Sequence, residues 1–498
     1  MNEEQPSKKK KGKWRYIVHV VLLSTLALAG TLLYRGKQFK SRQLSAPAAA
    51  IPEVDWQKAV SHLQGAVRIQ TISRSQHGTR TSALRREDVA AFRSFGSYLS
   101  GSFPKAHEAM QREVVAEHSL LYRWEGTDPG LAPMVIAGHM DVATVQPGTS
   151  MSWTEKPFSG AFKDDVIWGR GTLDDKSFVV GLFEALEQLA NSGFKPKRTL
   201  YVALSHDQLR GGEVGTHGLA QALSGKAPKF HVVLTEGLAV VKGFMPEIPA
   251  PIAMVGVGEK GQASLLLESE GAGSDSKLEA AQKRLEEQPM PAEFSGPAVY
   301  QFEYLASELP FPIRVAVANR WLFSGLLEDR IKQSQGSEAL IRTLVTSTDV
   351  PPGIDEKRLP PHPTLANYRL RPGDTLEALK AHAAKVVADP SIKLRFLDGA
   401  YAAPPVSSVE AAEFKQFQEV VKAVFPESVF APSLVLGATD ARHYNALSEN
   451  IYRFRPLLMA PDDMSRSRNS DERIRLEDYK RVVTFCSSFV QKFSGGEP

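Results

Sequence analysis

The sequence predicts an α/β fold that follows an apolar amino-terminal helix. A chain of 498 residues is longer than one typical core requires, so we expect two domains with accessory segments. Between residues 119 and 234, short apolar runs alternate with amphipathic stretches, as in βαβ units whose sheet is covered by helices on both faces. Polar residues directly follow several of these runs, which predicts one cleft at the carboxyl edge of the sheet.

The composition is that of an ordinary globular protein. Apolar residues make up 42% and charged residues 23% of the chain, which excludes a disordered protein. The net charge of +4 is small for this length and comes largely from the first forty residues, so no nucleic-acid partner is expected. Cys486 is the only cysteine, which excludes an internal disulfide and is typical of a small buried apolar side chain.

An uncharged run over residues 16–34 predicts a single-pass membrane anchor. About nineteen residues, at a rise of about 1.5 Å each, just cross a hydrocarbon core of ~30 Å. The heavier basic cluster precedes the run, within residues 1–15, so we expect a cytoplasmic amino terminus and the bulk of the chain on the extracytoplasmic side. A cleaved signal peptide is the alternative, because residues 45–50 are small, but the apolar run is long for that purpose. Residues 35–52 read as a polar linker.

Hydrophobic periodicity places the remaining elements. Helices are expected over residues 56–69, 90–99, 178–189, 218–223, 277–287, 376–387, 411–424 and 476–493. Strands are expected over residues 119–124, 134–137, 200–204, 232–234, 364–370 and 392–396. The pattern changes at Ile252, and from there two strands of a different sheet are expected.

The stretch from Met134 to Leu186 contains half of a candidate metal site. His139 follows an apolar strand, and a neutral imidazole is a good zinc ligand. Asp141, two residues later, is placed to accept the other N–H of the ring and so to fix its orientation. Asp174 adds a carboxylate from a second loop, where a helix is expected to begin.

These residues stand in longer motifs, GHMDVATVQPG and GRGTLDDK, that resemble the signature of a known family. The chain resembles, from about Val54 to Phe493, the co-catalytic zinc exopeptidases related to carboxypeptidase S and aminoacylase, and most closely the N-fatty-acyl-amino acid synthase/hydrolase group. The resemblance implies a zinc-exopeptidase-like α/β/α domain over residues 53–251 and 400–498. It also implies an inserted α+β lid of the dimerisation type over residues 252–399, and hydrolysis of amide bonds in N-acyl amino acids or peptides.

Several positions depart from what the resemblance implies. The expected general base is replaced by Gln208, whose amide cannot accept a proton at neutral pH. Leu209, Thr235 and Arg468 occupy three of the five implied metal-ligand positions. A leucine has no lone pair for a metal, and a permanently charged guanidinium opposes metal binding.

Only His139 and Asp174 then remain as ligands, with Asp141 as the orienting carboxylate. A catalytic zinc site needs at least three protein ligands, so we expect no bound metal cofactor and a catalytically inactive relative, a pseudoenzyme, that binds a ligand or a partner. Glu236, next to Thr235, is retained without an assigned role. The alternative is an active metallohydrolase that uses zinc in a rebuilt site.

Charge replacement is a further hypothesis. Without a dication, four carboxylates in one cleft would repel one another: Asp141, Asp174, Asp175 and Asp207. We expect Arg468, with Arg210 as a second candidate, to supply positive charge through paired hydrogen bonds.

The remaining motifs suggest binding rather than chemistry. Arg369 and the turn that begins at Gly437 match the family pattern and hint at a small carboxylate ligand. The lid implies a homodimer or a heterodimer. His206 and Asp207 are expected to cap the exit of their strand.

Overall fold

The computed structural model describes residues 10–76, 81–270, 274–333, 335–351, 354 and 358–495, so the first nine residues of the predicted basic segment lie outside it. The strands are β1 (Gln111–Val115), β2 (Ser119–Trp124), β3 (Met134–His139), β4 (Phe162–Lys163), β5 (Val166–Trp168), β6 (Leu200–Ser205), β7 (Val233–Val241), β8 (Ile252–Glu259), β9 (Gly261–Glu268), β10 (Leu344–Ser347), β11 (Thr364–Leu370), β12 (Lys393–Phe396), β13 (Val429–Val435), β14 (Ile451–Met459) and β15 (Arg473–Arg475). The helices are α1 (Lys10–Lys37), α2 (Trp56–Arg68), α3 (Arg86–Ser102), α4 (Pro104–Ala109), α5 (Lys176–Asn191), α6 (Gly215–Ser224), α7 (Ser274–Glu287), α8 (Pro297–Leu305), α9 (Phe311–Ala318), α10 (Arg320–Ile331), α11 (Gln335–Ile341), α12 (Leu376–Val387), α13 (Ala412–Val424), α14 (Pro461–Arg466) and α15 (Leu476–Ser494).

An eight-stranded mixed sheet forms the centre of the fold, in the order β1-β2-β6-β3-β7-β14-β8-β13. Strand β3 runs parallel to both β6 and β7, so the carboxyl ends of these strands meet at one edge. Adjacent residues of β3 point to opposite faces: Ile136 packs into the core beneath α5 and α15, and Val135 into the core beneath α6. The predicted α/β sheet with helices on both faces is confirmed.

The expectation that the chain leaves this sheet at Ile252 is wrong. Strand β8 lies inside the central sheet, between β14 and β13, and pairs in parallel with β13. It is buried throughout, as a strand covered on both faces must be, and its continuous apolar run matches the other central strands. The second sheet begins only at Gly261, where an added Cβ would lie 2.6 Å from the carbonyl oxygen of Tyr401.

The second sheet has four antiparallel strands in the order β10-β11-β9-β12. Helices α7 and α12 pack together on it around a separate core that includes Leu265, Leu285 and Leu379. Its role as a lid and in dimerisation stays a prediction.

Helices α8 to α11 were not predicted from the sequence. Helix α8 packs on β13 of the central sheet rather than on the four-stranded sheet, and its Tyr304 contacts the rings of Phe414 and Phe430 at centroid distances of 6.0 and 6.1 Å. Part of the 252–399 segment therefore belongs structurally to the first domain.

Helix α1 contains the predicted anchor. Its stretch Trp14–Lys37 is long and apolar enough to cross a membrane, and an amino-terminal signal sequence would meet the same criteria. The side chains from Trp14 to Thr31 are almost all exposed, and only the last turns contact the rest of the chain, through α9.

Candidate active-site cleft

Segments from several parts of the chain meet at the carboxyl edge of the central sheet. His139 ends β3, and Gln208 follows the end of β6. Strand β7 does not end at Leu234 as expected but continues to Val241, with a register shift against β14 that falls at Glu236 and Gly237. Because such an irregularity turns a side chain away from the regular alternation, it accounts for Glu236 pointing into the cleft.

A small three-stranded sheet brings the carboxyl-terminal segment to the same place. Strand β15 pairs with β5, so the loop before β15 lies against the GRGTLDDK loop. The buried Glu472 carboxylate accepts the backbone N–H groups of Gly171 and Leu173 at 2.9 and 2.8 Å and pairs with Arg170 at 2.6 Å. These contacts hold the residues around Arg468 next to Asp174.

His139 is fully buried and hydrogen-bonded at both ring nitrogens. Its Nδ1 lies 2.8 Å from the carbonyl oxygen of Asp141 and 3.2 Å from that residue's carboxylate, and its Nε2 lies 3.1 Å from Oδ1 of Asp174. Burial opposes protonation, but the Asp141 and Asp174 contacts outweigh it and raise the pKa of His139 well above its usual value. The oxygen atoms at both ring nitrogens therefore favour the charged form of the ring.

Asp141 also organises the neighbouring loop. Its two carboxylate oxygens accept the backbone N–H groups of Gln208 at 3.2 Å and Leu209 at 2.9 Å. The expected contact with His139 is present, but it runs mainly through the backbone carbonyl.

Glu236 joins His139 and Asp174 in one buried group. One potential ligand atom from each residue lies within 4.8 Å of the other two, an arrangement able to hold a metal ion. Three protein ligands is the number that a catalytic zinc site requires. The sequence-based count of only two donors is therefore wrong, because it left Glu236 without a role.

Two arginines contact the same carboxylates. Arg455, with a side chain that is 13% exposed, places Nη2 2.5 Å from Oδ1 of Asp174 and donates from the same atom to Glu236. Arg468 donates through Nε to Oδ2 of Asp174, and its Nη2 lies 3.9 Å from Oε2 of Glu236. The guanidinium groups thus lie among the oxygen atoms that would face a cation.

The electrostatics of the cluster follow from these contacts. Burial tends to raise the pKa of Asp174, but the positive charges of Arg455 and Arg468 hold it well below its usual range. The same competition, with Arg455 as the main opposing charge, lowers the pKa of Glu236 to about 2. Both carboxylates are ionised at neutral pH and are neutralised by guanidinium groups.

Arg468 has a backbone conformation that arginine rarely adopts. Its φ is 63°, in the left-handed region, which costs about 1–3 kcal/mol in a residue other than glycine. In this conformation its guanidinium group contacts Asp174.

Gln208, Leu209 and Thr235 contribute no metal-ligating group to the cluster. The Gln208 amide donates to Glu236 and accepts from Arg468 at 3.5 Å, so it joins these two side chains. Leu209 is half-buried and lines a neighbouring cavity. The buried Thr235 hydroxyl donates to the carbonyl oxygen of Glu236 at 3.1 Å.

The other predicted residues have local roles. The Asp207 carboxylate accepts the N–H groups of Val214 and Gly215 at 2.9 and 3.0 Å, so it caps the amino terminus of α6, a role that was not predicted. Asp175 accepts the backbone N–H of His139 at 3.3 Å, and burial raises its pKa to about 7. The second arginine at Asp174 is Arg455, not Arg210 as expected. Arg210 instead donates to the carbonyl oxygen of Ser82 at 2.5 Å.

A cavity of about 670 Å³ lies beside the cluster, between the central sheet and the four-stranded sheet. Four arginines line it: Arg210, Arg369, Arg442 and Arg468. Arg369 donates to the amide oxygen of Gln262 at 2.9 Å. Gly437 is exposed, and its neighbours Ala438 and Thr439 line the cavity in its place.

Arg455 is the functional residue that sequence reasoning missed. It lies in the run IYRFRPLLM, which was interpreted only as a scaffold strand. A detectable signal was nevertheless present, because arginine is almost never buried without a partner. An arginine inside an otherwise apolar strand therefore predicts a buried carboxylate nearby.

A mixed α/β sheet that carries a histidine and two carboxylates at its carboxyl edge defines a domain of the metallo-exopeptidase class. The chain belongs to peptidase family M20/M25/M40, whose family model matches residues 135–492. The predicted family resemblance is confirmed.

Among curated relatives, the N-fatty-acyl-amino acid synthase/hydrolase PM20D1 of Xenopus tropicalis is 32% identical over 490 residues, which cover 96% of this chain and 94% of the relative. The probable carboxypeptidase S-like 2 of Dictyostelium discoideum is 33% identical over 414 residues, which cover 80% and 79% of the two chains. The M20 family metallo-carboxypeptidase Sso-CP2 of Sulfolobus solfataricus shares the fold, with a TM-score of 0.59, 18% identity and coverage of 88% and 99%.

Proposed function

We propose that this chain is a membrane-anchored, catalytically inactive member of its family that acts by binding a carboxylate-bearing ligand. The observation that carries the proposal is the placement of Arg455 on Asp174 and Glu236, and of Arg468 on Asp174. Two guanidinium groups there perform the charge compensation that metal ions would otherwise supply.

The donor set argues against two metal ions. Leu209 offers no lone pair, and Arg468 stands where the family resemblance implies a histidine ligand. Gln208, at the implied position of the general base, cannot take a proton from water at neutral pH. At these implied positions, the chain therefore carries neither a second set of ligands nor a general base.

The cavity suits an anionic ligand. Four of its lining residues are arginines, whose guanidinium groups match a carboxylate, although Asp349 and Asp440 also line it. Arg468 connects the cavity to the carboxylate cluster. Relatives named for N-fatty-acyl-amino acids and for carboxypeptidase action handle molecules that carry a free carboxylate. We propose an N-acyl amino acid or a peptide carboxyl terminus as the class of ligand.

The second candidate function is hydrolysis with a single metal ion. The convergence of His139, Asp174 and Glu236 within 4.8 Å favours it, because these three residues fit one zinc ion. In that case these three residues would hold the ion, which would supply a Lewis acid, and the Arg455 guanidinium would have to leave Asp174 and Glu236. The chain would still need a proton acceptor other than Gln208.

Metal analysis combined with a hydrolysis assay separates the two candidates. We expect the purified full chain to contain far less than stoichiometric zinc and to release no amino acid from an N-fatty-acyl-amino acid. Stoichiometric zinc together with turnover that a chelator abolishes would establish the hydrolase instead.

A rebuilt variant provides the positive control. It combines five substitutions: Gln208→Glu, Leu209→Glu, Thr235→Asp, Arg455→Met and Arg468→His. Zinc uptake by this variant, but not by the parent chain, would support the view that only the ligands are lacking. Self-association through the four-stranded domain stays a proposal, and the molar mass of the detergent-solubilised chain tests it.

A further inference from the structure

The helical hairpin α9–α10 has an exposed apolar surface beside the end of α1. We infer that this hairpin docks on the outer surface of the lipid bilayer that α1 spans, as a second membrane contact of the same chain. The inference rests on the proposed membrane anchor. The partner that we propose for this surface is the lipid bilayer.

Direct contacts fix the hairpin at the outer end of α1. A Cβ added at Gly36 would lie 2.5 Å from Cγ2 of Val315, so the two backbones approach closely there. The Asn319 amide donates to the carbonyl oxygen of Leu32 at 3.0 Å. Residue 36 thus lies beside residue 315, and residue 32 lies beside residue 319. Helix α9 therefore runs antiparallel to α1, toward the uncharged run 16–34.

The turn between the two helices therefore reaches the depth of the predicted bilayer interface. Leu32 lies within the uncharged run 16–34, about 3 Å along the helix axis from Tyr34 at its end. Asn319 lies level with Leu32 and directly precedes α10, so the first turn of α10 starts where hydrocarbon gives way to headgroups.

The exposed face of that turn is apolar. Trp321, Leu322 and Leu326 are 60%, 44% and 64% exposed, and at about 100° per residue they lie within an arc of about 140° on the first two turns of α10. The exposed Asp329 ends this apolar arc one turn further along. Gly325 completes the face, and nothing lies within 4 Å of a Cβ added there. A tryptophan at this depth is typical of proteins at the membrane interface.

Basic residues border this apolar face. Trp321 lines a groove together with Arg35, Lys40 and Arg320, and with Glu303, which pairs with Arg320. Cations beside an apolar surface suit the phosphate groups of lipids, whose headgroups lie at the level where the uncharged run of α1 ends. The chemistry of this surface therefore matches the interface of a phospholipid bilayer.

Site-directed spin labelling of the full chain in nanodiscs tests the inference. The label is placed at Leu326→Cys, with Leu28→Cys in α1 as the lipid reference and Glu279→Cys on the exposed face of α7 as the aqueous reference. Collision with oxygen and with a water-soluble nickel chelate reports whether a label faces lipid or water. The wild-type chain, whose single Cys486 is buried, provides the labelling blank.

We expect the Leu326 label to favour oxygen over the nickel chelate, like the Leu28 label and unlike the Glu279 label. An aqueous Leu326 label with a lipid-facing Leu28 label overturns the docking inference and leaves the anchor intact. Aqueous labels at both sites overturn the anchor as well. A Leu326 label shielded from both reagents overturns the inference in favour of a protein contact.

A second measurement avoids the introduced cysteine. Bromine-labelled lipid chains should quench part of the tryptophan fluorescence of the wild-type chain in nanodiscs, and Trp321→Phe should reduce the quenched fraction. An unchanged quenched fraction in Trp321→Phe would contradict the inference.

Discussion

Replacement of Arg455 by methionine tests whether a guanidinium group holds the carboxylate cluster together. The substitution keeps an unbranched side chain of similar length and removes the charge. It leaves Glu236, which is 4% exposed, without its main cation, while Asp174 retains Arg468. Removal of one partner from a buried ion pair typically costs about 3–5 kcal/mol.

The expected change in melting temperature follows from the size of the chain. Unfolding entropy of roughly 2.1 cal/mol/K per residue gives about 1 kcal/mol/K for 498 residues. We therefore expect Arg455→Met to lower Tm by about 3–5 °C in differential scanning calorimetry at neutral pH. Arg468→Met should cost less, about 1 kcal/mol, because that side chain is 44% exposed and water screens its pair.

Two further substitutions test whether the change in Tm comes from the buried ion pair. Arg85→Met is the matched control, because Arg85 is 50% exposed and its carboxylate partner Glu87 lies 3.8 Å away on the surface. Its removal should change Tm by less than about 1 °C. Glu236→Gln should raise the Tm of Arg455→Met, since it removes the unpaired charge, and should lower the Tm of the wild-type chain. If the Tm of Arg455→Met were the same as that of Arg85→Met, the role assigned to Arg455 would be refuted.

Four other outcomes are expected. Added zinc should leave the Tm of the wild-type chain unchanged and raise that of Arg455→Met, because the substitution frees the three-donor site; calorimetry with and without zinc checks this. Burial raises the pKa of Asp440 to about 8. The folded chain therefore keeps a proton on this carboxyl that the unfolded chain loses above about pH 4. The free energy of unfolding should thus fall as the pH rises from about 4 to about 8. Asp440→Asn should reduce that loss in urea titrations at pH 5 and pH 8, whereas Asp398→Asn, at a site 96% exposed, should not. Asp207→Ala should cost up to about 2 kcal/mol in urea titration, because it uncaps α6. Glu472→Ala should increase hydrogen exchange at Gly171 and Leu173, whose N–H groups it binds, and unchanged exchange there would contradict the assignment.

Local pattern was sufficient to predict most of the central domain. Strand Ser119–Trp124 and helix Leu376–Val387 have the predicted bounds. The strand is a short, largely apolar run, and the helix buries residues at helical spacing, so both are marked in the chain itself. Strand Ile252–Glu259 was assigned to the wrong sheet, because a continuous apolar run shows that a strand is buried but does not show which neighbours bury it. Helices α8 to α11 were missed for a related reason, since they pack on several neighbours rather than along one regular stripe.

The sequence by itself determined the family and the candidate metal ligands His139 and Asp174. It also placed Arg468 at a position where the family resemblance implies a metal ligand. Tertiary structure alone decided that Glu236 turns into the cluster and that Arg455, from a strand more than two hundred residues away along the chain, pairs with it. The physical reason is that strand register and the irregularity in β7 direct those two side chains, and neither is encoded by residue type or spacing along the chain. Residue identities show which charges are present, but only the sheet determines which of them meet.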